Sequence, residues 1–124
     1  MMDYLAVILV MGMAAAQLYF MYVEMFLWTR PATARSFGIT EEEAAASQKM
    51  AANQGLYNGL FAAGLIWGLL DSNAAIGYQT QIIFLILIAI AGIYGGMTVK
   101  RSIFMVQGLP ALLALAVLLA TGQS

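Results

Sequence analysis

The stretch YLAVILVMGMAAAQLYFMYVEMFLW, Tyr4–Trp28, decides the fold. A helix needs about 20 consecutive, mostly apolar residues to cross a bilayer core of roughly 30 Å. This run exceeds that length and carries one charge, Glu24. Ala14-Ala15-Ala16 resembles a signal-peptidase site. The residues before the run, Met1-Met2-Asp3, hold no basic side chain, however, and apolar sequence continues well past the alanines. The run therefore reads as a retained span.

Working outward, three further segments have the same character: Ala51–Leu70, Gln81–Val99 and Ile103–Ala120. The 124-residue chain is 63% hydrophobic and 9% charged, against roughly 25% charged residues in soluble domains. A chain of this size keeps much of its surface exposed, so it cannot hide that apolar content from water. The expected architecture is all-α: one domain over residues 1–124, a four-helix transmembrane bundle whose main solvent is the lipid bilayer. A net charge of −1 lacks the basic face that nucleic acid requires. With no Cys and no His, thiolate and imidazole chemistry are absent, and neither a metal nor a cofactor is expected. Nine methionines, Met21 and Met25 among them, are read as adaptable packing rather than a copper site.

Charge fixes the expected orientation. Arg30, Arg35 and Lys49 follow the first span, and Lys100 and Arg101 follow the third. Asp71–Thr80, read as the loop between spans two and three, has no basic residue. By the positive-inside rule the basic side is cytoplasmic, and both termini lie outside the cytoplasm. In the long connection, Pro31 and Gly38 read as helix breakers. Thr40-Glu41-Glu42-Glu43 reads as a capping box, with Thr40 as N-cap and Glu43 at the third helical position. This predicts a continuous helix from about Glu41 to Leu70, the second helix extended into the cytoplasm. Consecutive glutamates diverge around a helix, so the acidic triplet reads as a solvated cap and not a metal site.

The polar residues of the spans share one depth. At 1.5 Å per residue, Glu24 lies about 6 Å inside the cytoplasmic boundary, Asn53 and Gln54 roughly 3–5 Å, and Tyr57 and Asn58 roughly 9–10 Å. Tyr94 and Gln107 fall at about 7 Å in the last two spans. Gln17, Met21, Glu24 and Trp28 share a stripe of the first helix, while Asn53, Gln54, Tyr57 and Asn58 cover one arc of the second. Gly55, Gly59 and Ala63 form a small-residue row beside that arc, and Gly64/Gly68 and Gly92/Gly96 repeat the spacing that lets helix backbones approach. Pro110 removes the donor for the carbonyl of Val106, beside Gln107. A carboxyl within a span reads by default as a functional site. The candidate ligand or proton site is therefore Glu24, Gln54, Asn58, Tyr57 and Gln107, supported by Gln17, Trp28, Asn53 and Tyr94. The plainer reading is a snorkelling glutamate with amides that join helices.

The stretches YFMYVEMFLW, ANQGLYNGL, AGIYGG and VQGLPALLAL occur in this order. They resemble small bacterial membrane proteins grouped as domain of unknown function 1304, over nearly the whole chain, with NQGLYNG the most specific block. The resemblance implies a four-helix protein of the bacterial cytoplasmic (inner) membrane. It carries over to Glu24, Asn53, Gln54, Gly55, Tyr57, Asn58 and Gly59. That family often has an acidic residue at the place of Ala16; here Ala16-Gln17 stand, and Glu24 is the lone carboxylate of the span Tyr4–Trp28.

Two classes of function follow. A carboxylate among aromatic rings suits a small molecule or organic cation, bound or transported with proton coupling. Four helices enclose only a narrow path, so transport implies a homo-oligomer. Alternatively, Glu24 serves as acid or base of a membrane enzyme or accessory subunit, with amides orienting the substrate. A structural or lipid-binding role for the polar layer is the third reading.

Overall fold

The computed structural model describes residues 2–122. Met1, Gln123 and Ser124, the chain ends whose sidedness the charge pattern predicts, lie outside the described residues. Apart from short connections the described chain is helical, with no strand among the described residues. Helix α1 (Met2–Tyr22) continues into a π-helical turn, Val23–Leu27. It is followed by α2 (Pro31–Phe37), α3 (Glu41–Ala46), α4 (Gln48–Leu70), α5 (Ala74–Thr98) and α6 (Arg101–Ile103). A second π-helical turn, Phe104–Gly108, leads into α7 (Leu109–Thr121). Three helical runs are long and apolar enough to cross a membrane: Tyr4–Leu27, Ala74–Thr98 and Arg101–Thr121. Helix α4 is long enough at about 34 Å, but Gln48, Lys49, Asn53, Gln54 and Asn58 make its first half polar.

The chain divides into two compact units, residues 15–62 and residues 1–14 with 63–124. In the first, the end of α1 packs against the start of α4. The buried stripe of α4 there is Ala51, Gly55, Asn58 and Ala62, alternating four and three residues apart. Asn53 and Tyr57 lie outside that stripe and are exposed, as is Ala63. The expected polar arc is thus split, because the small residues choose which face packs. A Cβ on Gly55 would lie 2.9 Å from Met25 Cγ, 3.0 Å from Glu24 Cβ and 3.2 Å from the Met21 carbonyl oxygen. A Cβ on Gly59 would collide with the Met21 sulfur.

In the connection after Trp28, Gly38 ends a helix as expected, whereas Pro31 begins one. Pro31 occupies the first turn of α2, where its missing N–H costs nothing and its fixed φ suits the helix. Gly38 ends α2 at φ 71°, and the amides of Gly38 and Ile39 close on the carbonyls of Arg35 (3.1 Å) and Ala34 (3.0 Å). The capping box at Thr40 is present: Glu43 N donates to Thr40 Oγ1 (3.0 Å), and Thr40 N donates to Glu43 Oε1 (2.8 Å). The Thr40 amide, then its hydroxyl, hold the Glu43 carboxyl below the ordinary glutamate range. A depressed folded pKa contributes helix stability above the unfolded value near 4.5, and that contribution is lost as pH falls through the folded value. Helical carbon shifts of residues 41–46 are expected to weaken as pH falls below 4.5, and in Glu43→Gln to lose that pH dependence.

The helix expected to run unbroken from Glu41 is divided at Ser47, at φ −100° and ψ 7°. Ser47 Oγ donates to the Glu43 carbonyl at 2.7 Å, a back-bond that bends helices, and accepts from Trp28 Nε1 at 3.0 Å. Trp28 also lies against Phe37, with ring centroids 5.1 Å apart. Ser47→Ala removes the indole's acceptor and is expected to cost about 1 kcal/mol, read as a loss of thermal stability with a shift of tryptophan fluorescence.

In the second unit, the expected loop Asp71–Thr80 is mostly helix. Asn73 caps α5, its side chain accepting from Ile76 N at 3.1 Å, which leaves a short connection at Asp71–Asn73. Thr80 is buried, and Gln81 Nε2 donates to the Gly68 carbonyl at 3.1 Å. Gly64 lies under the ring of Phe84. Gly92 meets the backbone of Gly108, and Gly95 and Gly96 accommodate Ile103 and Phe104. Leu85, Ile88, Ala89, Ala111, Ala114 and Leu118 fill the interior of this unit.

Candidate functional site

Glu24 lies in the π-helical turn that ends the first helix and is buried, with 8% of its surface exposed. Such turns insert one residue into the helical repeat and often sit at functional sites. Two amides reach its carboxyl group from α4. Gln54 Nε2 donates to Oε2 at 2.7 Å, and Asn58 Nδ2 donates to Oε1 at 2.6 Å. Gln54 and Asn58 are four residues apart and so adjacent on one helix face. Gly55 between them is bare where Glu24 Cβ arrives. The spacing N-Q-G-x-x-N thus supplies both the donors and the gap that lets the carboxyl reach them.

Each carboxyl oxygen accepts one N–H and retains a further lone pair, because an ionised carboxylate can accept about four hydrogen bonds in all. The donors neutralise part of the negative charge without supplying a countercharge. Such an arrangement can hold a proton, or a cation of matching size, against the remaining lone pairs.

The other expected residues are distributed as follows. Asn53 and Tyr57 are exposed on α4. Trp28 is half-buried and engaged with Ser47 and Phe37, so it anchors α2 and α3. Tyr94 is exposed on α5 and Gln107 half-buried in the second π-helical turn, both in the other compact unit. The carboxylate–diamide cluster comprises Glu24, Gln54 and Asn58. Among the described residues, no group of three or more carboxylates, histidines or cysteines could hold a metal ion.

Gln17 is fully buried, and neither its Nε2 nor its Oε1 has a hydrogen-bond partner among the described residues. An amide left so costs roughly 1–3 kcal/mol, and a buried polar group without a partner calls for an explanation. Gln17 lies seven residues before Glu24, which is buried in the π-helical turn that follows α1.

Residues 5–119 match the family described as protein of unknown function (DUF1304). The chain belongs to that family. The uncharacterized protein YpaA of Lactococcus lactis subsp. lactis (strain IL1403) is 38% identical over 118 residues, covering 92% of this chain and 96% of YpaA. No solved structure matches the chain. The DUF1304 match covers all three residues of the carboxylate cluster and Gln17.

Proposed function

We propose that this protein is a four-span membrane protein that binds, and in an oligomer transports, a small organic cation or proton-coupled solute at Glu24. The observation that carries this reading is the buried carboxyl of Glu24 held by the amides of Gln54 and Asn58. A carboxyl placed for helix packing alone would be an expensive choice within a span, since an amide or hydroxyl could join the same helices. Its charge suits a cation that leaves water for a hydrogen-bonded carboxylate in an apolar protein.

The fourth span in this reading is α4, entering the membrane near Ala51 with its polar half toward the cytoplasmic interface, and α3 lies outside the bilayer. The basic residues occupy the connection from Arg30 to Lys49 and the turn at Lys100-Arg101. By the positive-inside rule this distribution supports a topology with both termini outside the cytoplasm. Reporter fusions near Ser36 and after Ser124 test this. A cytoplasmic signal at Ser36 and an external one at the C-terminus are expected; a cytoplasmic C-terminus contradicts the topology.

Equilibrium dialysis of the purified protein against quaternary ammonium and phosphonium probes, from tetramethylammonium to tetraphenylphosphonium, tests the site. At least one probe is expected to bind the wild type. Binding is expected to fall 30-fold or more in Glu24→Gln, the loss for removing one partner of a buried charge pair. Equal binding by both proteins, or none by the wild type, rejects cation recognition at Glu24.

A further inference from the structure

We infer that Gln17 is a buried hydration site, and that its water extends the Glu24 site along α1 into the apolar half of the helix. Gln17 is fully enclosed, and both polar atoms of its side chain lack a protein partner. A primary amide needs a group that accepts from its N–H and donates to its carbonyl. Water does both, and buried waters characteristically complete polar groups that the protein leaves unsatisfied.

Gln17 and Glu24 are both buried and lie seven residues apart, so roughly 10 Å along the axis. Allowing for the reach of two long side chains, two or three waters linked at about 2.8 Å cover the interval. Between the two levels stands Met21, whose sulfur fills the place that a Cβ on Gly59 would take. A thioether is only a weak acceptor, and its unbranched side chain rearranges easily. On this inference Met21 is the apolar side chain that stands between the two polar levels. Gln17 is eleven residues from Trp28, about 16 Å by helical rise, which is near the middle of a 30 Å core. The role of the water as part of a ligand or proton path rests on the Glu24 reading; its presence does not.

Side-chain amide NMR on protein labelled with 15N-glutamine tests the hydration, without any ligand. The Gln17 signal is assigned by its disappearance in Gln17→Met. The expected result is a water cross-peak and a deuterium exchange rate within about tenfold of exposed Gln79. No water contact, with exchange slower by 100-fold or more, overturns the inference. Thermal unfolding of Gln17→Met supplies a second readout. A dry, unpartnered amide is a burden whose removal raises Tm, whereas loss of a hydrated one leaves Tm unchanged or lowers it. A Tm raised by several degrees also overturns the inference. Failure of cation binding in the dialysis experiment, with hydration intact at Gln17, would reject the Glu24 reading alone.

Discussion

Gly92→Ala is expected to be the most destabilising single-methyl change in this protein. A Cβ at Gly92 would fall on the backbone nitrogen and Cα of Gly108 and lie 3.0 Å from the Gln107 carbonyl carbon. None of these atoms is the end of a flexible side chain, so relief requires α5 and the second π-helical turn to separate. Overpacking a close contact costs typically 1–3 kcal/mol and occasionally more; an encounter with backbone belongs at the upper end, about 3 kcal/mol. Two controls calibrate it. Gly59→Ala meets the end of Met21, which can move, and is expected to cost about 1 kcal/mol or less. Gly12→Ala meets nothing within 4 Å and is expected to be neutral or to gain up to about 1 kcal/mol of helix propensity. Unfolding titrations in mixed micelles rank the three, and a Gly92→Ala protein as stable as Gly12→Ala contradicts the close approach of α5 to Gly108.

The second large effect falls on Glu24. In Glu24→Leu the Asn58 amide loses its acceptor within a buried site, at a cost of about 1–3 kcal/mol. Gln54 is more exposed and can turn toward solvent or headgroups. In Glu24→Gln the new side chain offers one acceptor oxygen where the carboxylate offered two. One partner amide must then present its carbonyl, a rearrangement that Asn and Gln allow by rotation. Stability is expected to change by less than about 1 kcal/mol in Glu24→Gln while charge-dependent binding is lost. The contrast separates the structural contribution of the hydrogen bonds from the functional contribution of the charge. A Glu24→Leu protein as stable as wild type would mean that the Glu24 hydrogen bonds to Gln54 and Asn58 contribute nothing to the fold.

Helical character was legible because apolar runs of this length have few alternatives. The pairing of Glu24 with Gln54 and Asn58 was legible because depth along a helix is simple arithmetic. Other features turned on local chemistry with two readings. Pro31 marks a helix start as readily as a break, and only the Gly38 cap downstream identifies α2. The polar run Tyr78–Gln81 resembles a loop, yet Asn73 had already begun a helix that carries it. Ser47 divides α3 from α4, its hydroxyl bonding to the Glu43 carbonyl, a choice available to any serine in a helix. The facing of α4 was misread for a more general reason. In apolar surroundings a helix packs where its backbone can approach most closely, so Ala51, Gly55 and Ala62 set the buried stripe. Asn58 entered it while Asn53 and Tyr57 did not. The π-helical turns at Glu24 and before Pro110 have no signature in residue type, although Pro110 hints at the second through its missing donor.

Dicyclohexylcarbodiimide reads most directly whether the Glu24 carboxyl is a cation or proton site. This apolar reagent enters membranes and adds to a carboxyl that has taken up a proton, and mass spectrometry of the digested protein locates the adduct. Modification at Glu24 in native membrane vesicles is expected. Excess tetraphenylphosphonium or a smaller quaternary ammonium should slow it at least tenfold by occupying the carboxylate. Adducts confined to Asp71 and the Glu41–Glu43 triplet, or modification of Glu24 at a rate that no cation alters, would contradict the account.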